Sequence, residues 1–202
     1  MNTVITIGRQ FGSSGRRLGY LLAQHLGYAY YDKEILKQIV DETQLSQSYV
    51  NDILEGKTSR VFPITFEQTM NVYSEMVMQP LQEVYRAQTE VIEKMATKSN
   101  CVIVGRCADF ILKTEDVKLF KLFIYADLDN RIQRCIDHAR EGEDTSYKAM
   151  KKEILKIDKS RARYYEDYTL RRWGDKENYD ICINTTNMNV DEMVPHLAKL
   201  FE

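Results

Sequence analysis

The sequence predicts an α/β fold, a parallel sheet of five strands with helices on both faces. Three observations carry that expectation. Short apolar or β-branched runs alternate with stretches whose apolar residues recur at helical spacing. The runs are apolar at consecutive positions, as a parallel sheet covered on both faces requires. Glycine and proline are scarce, 9 and 3 of 202 residues, so few breakers interrupt the helices.

The first strand is Thr3-Val4-Ile5-Thr6-Ile7, short and β-branched. A glycine-rich stretch follows, then a helix carrying Leu18, Leu21, Leu22 and Leu26, ended by Gly27 as its C-cap. Tyr28–Tyr31 reads as the second strand, and Asp32 as the cap of a helix with Ile35, Leu36, Ile39 and Val40. Within residues 44–80, Pro63 and Pro80 bracket a segment with Phe66, Met70, Tyr73, Met76 and Val77 that reads as another helix. Residues 81–97 form an amphipathic helix with Leu81, Val84, Tyr85, Ile92, Met95 and Ala96 on one face. Cys101–Val104 and Leu119–Tyr125 are the third and fourth strands. Leu128, Ile132, Cys135 and Ile136 mark the next helix, and a polar, charged region runs from Glu141 to Asn178. Ile181–Ile183 is the fifth strand. Val190, Met193, Val194, Leu197, Leu200 and Phe201 make the closing helix, with Asn189 and Glu192 at capping-box spacing. No internal repeat or low-complexity linker divides the chain, so residues 1–202 read as one domain.

Charge and composition exclude several functions. The 28 Lys+Arg are balanced by 30 Asp+Glu, a net charge of -2, so the basic excess of a nucleic-acid binder is missing. No apolar run approaches the ~18 residues of a membrane span, and Val4–Ile7 is too short for a signal-peptide core. A cytoplasmic protein without membrane or nucleic-acid partners is expected. Cys101, Cys107, Cys135 and Cys182 form no CxxC pair and read as reduced, mostly buried thiols. His25, His138 and His196 have no ligand spacing. Met70, Met76 and Met78 suggest a core or dimer face; monomer and homodimer both stay open.

Gly8, Gly12, Gly15 and Gly19 crowd into one place. Gly8-Arg9-Gln10-Phe11-Gly12-Ser13-Ser14-Gly15-Arg16-Arg17 joins the first strand to the first helix. There an α/β sheet binds phosphate, because glycines let successive amides face one anion and the helix N-terminus adds partial positive charge. The match to G-x-x-x-x-G-K-[ST] is incomplete. Gln10 stands at the first glycine, Arg16 at the lysine, and Arg17-Leu18 follow where a hydroxyl residue would touch Mg²⁺. Arginine also binds phosphate, and bidentately. Ser13 or Ser14 is the remaining hydroxyl source.

Further stretches extend the pattern: Tyr30-Tyr31-Asp32-Lys33-Glu34-Ile35-Leu36, Val104-Gly105-Arg106-Cys107-Ala108-Asp109, Asp158-Lys159-Ser160-Arg161-Ala162-Arg163-Tyr164-Tyr165 and Ile183-Asn184-Thr185-Thr186. In this order the chain resembles the cytidylate-kinase-like family of P-loop kinases over essentially its whole length. The resemblance implies a three-layer nucleoside-monophosphate-kinase fold with a five-stranded parallel core. It implies a monophosphate-binding insertion at 44–80 and a lid at 142–178. It implies transfer of the γ-phosphoryl group of ATP, with Mg²⁺, to a nucleotide substrate, CMP or dCMP by default.

Site residues follow from the same resemblance. Gly12, Ser13, Ser14, Gly15, Arg16 and Arg17 would bind ATP phosphates, with Arg16 in the role of the lysine. Arg106 and Asp32 would hold the acceptor, although Cys107 stands where the family has aspartate and Lys33-Glu34 where it has Ser-Gly. Asp158 and Arg161 match its D-x-x-R, aspartate on the nucleoside and arginine on phosphate. Arg161 and Arg163 would act in catalysis from the lid, with Arg171 and Arg172 as weaker candidates. Asp127 and Asp129 are candidate Mg²⁺ ligands, Arg131 a phosphate contact, and Thr185-Thr186 would lie near adenine. Two alternatives stand beside this reading: a P-loop kinase for another small acceptor, and a non-catalytic nucleotide-binding protein.

Overall fold

A computed structural model describes residues 1–55 and 70–202. Five strands form one parallel sheet: β1 (Thr3–Arg9), β2 (Ala29–Tyr31), β3 (Cys101–Val104), β4 (Lys118–Tyr125) and β5 (Ile181–Asn184), in the order β2-β3-β1-β4-β5. Among the described residues the helices are α1 (Gly15–Leu26), α2 (Lys33–Thr43), α3 (Gln47–Leu54), α4 (Met70–Lys98), α5 (Ala108–Ile111), α6 (Leu128–Asp137), α7 (Tyr147–Thr169) and α8 (Val190–Ala198).

The strand residues alternate between two cores, as a period of two demands. Val4, Cys101 and Ile103 face a layer built with Ile35, Ile39, Val91 and Tyr165 from α2, α4 and α7. Ile5, Ile7, Val102, Val104, Leu122 and Ile124 face α1 and α8 through Leu18, Leu22 and Val194, and Phe201 beyond α8 joins the same layer. Each such side chain, fully buried, contributes about 1.5–3 kcal/mol. Both faces are covered, so the predicted α/β class and three-layer sandwich hold.

Two expectations about elements change. Pro80 does not end a helix; α4 runs through it. Proline removes one amide and crowds the carbonyl four residues back, but Val84, Val91, Ile92 and Ala96 on the same helix are fully buried. That packing outweighs local propensity. Pro63 and Phe66 lie outside the described residues, as do residues 56–69 of the expected insertion at 44–80. The polar region after Glu141 is mostly α7, 23 residues long, capped by Ser146, whose hydroxyl accepts from the Ala149 amide.

Other local readings hold. Gly27 takes the left-handed C-cap of α1 at φ 67°. Asn189 caps α8, its side chain accepting from the Asp191 amide, while Glu192 bonds the Asn189 side-chain amide rather than its backbone. All four cysteines are free, with Cys182 exposed against expectation. No helix among the described residues is long and apolar enough to cross a membrane.

Candidate functional site

Because β1 lies between β3 and β4, the glycine-rich loop sits between the turn after β3 and the ends of β4 and β5. This is the carboxyl edge where open α/β sheets place ligands. The Gln10 amide donates to the Ile124 carbonyl, and its side chain accepts from the Ala126 amide. Gly12 has φ +76°, and a Cβ there would lie 2.9 Å from the Arg131 carbonyl and 3.0 Å from Cys135 Sγ. Only glycine fits the turn at that point. Ser14 is left-handed at φ 61°, and the first helical bond of α1 runs from the Leu18 amide to the Ser14 carbonyl at 2.9 Å. The amides of Gly15, Arg16 and Arg17 therefore precede the helical ladder and open toward a ligand.

The loop hydroxyls and Arg17 differ from expectation. Ser13 is fully buried, and its hydroxyl donates to the Gln10 carbonyl at 2.8 Å. The buried Thr185 hydroxyl bonds the Ser13 carbonyl, and Arg134 donates to the Thr185 and Thr186 carbonyls. Ser13 thus contributes backbone and anchorage, leaving the partly buried Ser14 as the other loop hydroxyl. Arg17 makes a bidentate pair with Asp191 on α8, so its guanidinium is already engaged there.

Beside the loop, Arg9, Arg106 and Arg161 converge on one cleft with Glu55 and Asp109. Gly105, Arg106 and Cys107 have φ of 78°, 58° and 55°, three left-handed residues in succession. Such residues cost roughly 1–2 kcal/mol each outside glycine, and the turn projects Arg106 across the end of β3. Arg106 donates to the Leu54 carbonyl at 2.8 Å and pairs with Glu55 at 3.1 Å. Arg161 donates to the Arg9 carbonyl at 3.3 Å and lies over the Phe11 ring at 5.5 Å. Asp32 is 9% exposed and makes no side-chain cap bond to α2. Instead it pairs with Arg16 at 2.7 Å and approaches Arg9 at 3.8 Å.

The electrostatics are those of an anion site. Burial, then the charge of Arg161, brings the Arg9 pKa down to about 9, while Asp32 opposes the shift. Burial lowers that of Arg161 as well. Burial raises the Asp109 carboxyl, against the hydrogen bond it accepts from Tyr165 at 2.7 Å. Four arginines are thus faced mainly by the carboxylates of Asp32 and Glu55, and a polyanion would relieve the repulsion among them.

Of the residues expected from sequence, the fold gathers Gly12, Ser14, Gly15, Arg16, Asp32, Arg106 and Arg161. Others lie elsewhere. Asp158, expected on the acceptor, accepts the Phe11 amide with one oxygen and Arg131 with the other. Arg131 is correspondingly buried rather than facing a ligand. Arg163 is exposed, two residues from the inward Arg161 on a helix and so on its opposite side; it does not line the cleft. Asp127 and Asp129 are exposed, and Asp129 accepts from the Tyr147 hydroxyl at 2.6 Å. Arg171 packs over Phe110 at 5.2 Å, and Arg172 is exposed. No group of three or more His, Cys, Asp or Glu among the described residues could hold a metal ion.

Sequence reasoning missed Arg9, Glu55 and the place of the buried Asp109 in the lining of the cleft. Arg9 lay within the quoted loop, but no motif assigns it a role. Glu55 depends on the fold of α3 against the β3 turn.

A model of the cytidylate kinase-like family matches residues 4–187. The solved structure of an uncharacterized protein from Eubacterium ventriosum is 28% identical, covering 99% of this chain and 98% of that one, with a TM-score of 0.69. Shikimate kinase from Bacteroides thetaiotaomicron is 13% identical, covering 98% of this chain and 97% of its own, with a TM-score of 0.54; that likeness speaks to the fold. No curated protein matches the sequence.

Proposed function

The chain belongs to the cytidylate kinase-like family, and from that premise we propose that it transfers the γ-phosphoryl group of Mg-ATP to a nucleoside monophosphate, CMP or dCMP by family resemblance. The observation that carries the reading is the convergence of Arg9, Arg106 and Arg161 on a cleft beside the glycine-rich loop. In this reading the amides opening α1 and the guanidinium of Arg16 bind the donor phosphates. Arg106 and Arg161 hold the acceptor phosphate, and Arg9 lies between the two groups. The residues orient and neutralise; no strong general base is needed, because positioning and charge supply most of the catalysis of phosphoryl transfer. Magnesium would neutralise phosphate charge and would arrive with ATP, since a hard cation of this kind is held largely by substrate phosphates and water.

Asp32 takes part through Arg16. Its carboxylate holds that guanidinium beside the loop, and the Lys33-Glu34 pair that follows puts a charge where the family carries Ser-Gly. The Glu34 side chain accepts from the Asp32 amide at 3.1 Å, closing the start of α2. That departure supports the second reading, a kinase for a different small acceptor.

The deciding experiment is ADP release from Mg-ATP with CMP, dCMP, UMP, AMP and GMP offered separately. Turnover with CMP or dCMP, falling about 100-fold or more in Arg16→Ala, is the expected result. Turnover unchanged by Arg16→Ala would remove that arginine from the reaction. ATP binding with no turnover across the panel would favour another acceptor or a non-catalytic nucleotide-binding protein.

A further inference from the structure

Both backbone groups of Phe11, in the middle of the glycine-rich loop, are held from outside the loop. Its amide donates to Asp158 Oδ1 at 2.8 Å, and its carbonyl accepts from Arg131 at 3.2 Å. Arg131 also pairs with Asp158 Oδ2, with side-chain exposures of only 6% and 13%. The next residue, Gly12, lies against the backbone of Arg131 itself. One turn along α7 from Asp158, Arg161 bonds the Arg9 carbonyl and covers the Phe11 ring. The stretch Arg9–Phe11 is therefore hung from α7 at two points, and α7 also contributes Arg161 to the cleft.

We propose that Asp158 and Arg131 are positioning residues that hold the glycine-rich loop in its phosphate-receiving shape and tie it, through α7, to the arginine cleft. Both carboxylate oxygens of Asp158 are engaged, so Asp158 serves the donor loop rather than an acceptor. Charged hydrogen bonds shielded from water are about twice as strong as neutral ones. Removing Asp158 also leaves Arg131 buried without its counter-charge, and Arg131 Nε has no partner among the described residues. A buried arginine left so would seek another partner and draw the loop with it.

The inference rests on the kinase reading, and its test separates the two. Mg-ATP and CMP affinities are measured separately by calorimetry on the full chain, for wild type, Asp158→Asn, Asp158→Ala and Lys159→Ala, an exposed neighbour on α7. The expected result is an ATP Kd raised about 10-fold in Asp158→Asn, at least as far in Asp158→Ala, and unchanged in Lys159→Ala. CMP affinity stays at the wild-type value in all four, a split that a general loss of structure would not produce. If Asp158→Ala does not fold, the isosteric Asp158→Asn decides. Unchanged ATP affinity in Asp158→Asn, or loss of CMP affinity alone, overturns the proposal. Wild type that fails to bind Mg-ATP overturns the kinase reading first, and this inference with it.

Discussion

Arg9 owes its place in the cleft to a glycine on another strand's turn. A Cβ on Gly105 would lie 2.1 Å from Arg9 Nη1, and Gly105 has φ +78°. Gly105→Ala should cost about 1–2 kcal/mol of stability for the left-handed backbone and displace the guanidinium. Turnover should fall in Gly105→Ala, while Gly105→Ala combined with Arg9→Ala should be no worse than Arg9→Ala alone. Additive losses in kcat would show that the glycine acts on something else. Asp109 gives a second test. Its folded pKa is raised by burial, so the neutral carboxyl is favoured in the folded state. The associated stability is fully present below the unfolded pKa, about 4, and is lost as pH rises through the raised folded value. Asp109→Asn should therefore gain on wild type in thermal melts as pH increases from about 4. A difference constant with pH would mean that Asp109 titrates normally.

Elements explain which arginines line the cleft. Arg161 and Arg163 look equivalent as a list of residues, but on α7 two positions turn the side chain through about 200°. Arg161 thereby enters the cleft and Arg163 faces solvent. The glycine-rich loop depends on its neighbours in the same way. It is bonded to β4 through Gln10, to the end of β5 through Thr185 and to α7 through Asp158. Those anchors preorganise the amides at the start of α1, which is how fixed dipoles become useful to a reacting anion.

Across the whole molecule, the two cores are separate clusters joined by the sheet. Phe201 is 1% exposed and meets Phe120 edge to face at 5.0 Å on the side of α1 and α8. Phe201→Ala should cost about 3–5 kcal/mol, read as a lower midpoint in denaturant titration. Since the arginine cleft lies at the ends of the strands, the remaining folded molecules should keep wild-type turnover per molecule. A matching loss of turnover would tie that core to the cleft.

The sequence by itself determined the α/β class, the five strands and the glycine-rich turn, because these follow from local periodicity and from backbone angles that few residues tolerate. It also placed Arg16, Asp32 and Arg106 at strand ends and helix starts, where α/β sheets gather ligands, and Arg161 in the polar region that proves to be α7. Only the tertiary structure decided which side chains are spent on the fold. Arg17 pairs with Asp191, Ser13 turns inward to Gln10, and Asp158 serves Phe11 and Arg131. It also brought in Arg9 and Glu55, which no motif marks. The reason is physical: a charged side chain is assigned by the partner within hydrogen-bond reach. For these residues that partner, except in the Ser13–Gln10 turn, comes from a distant part of the chain.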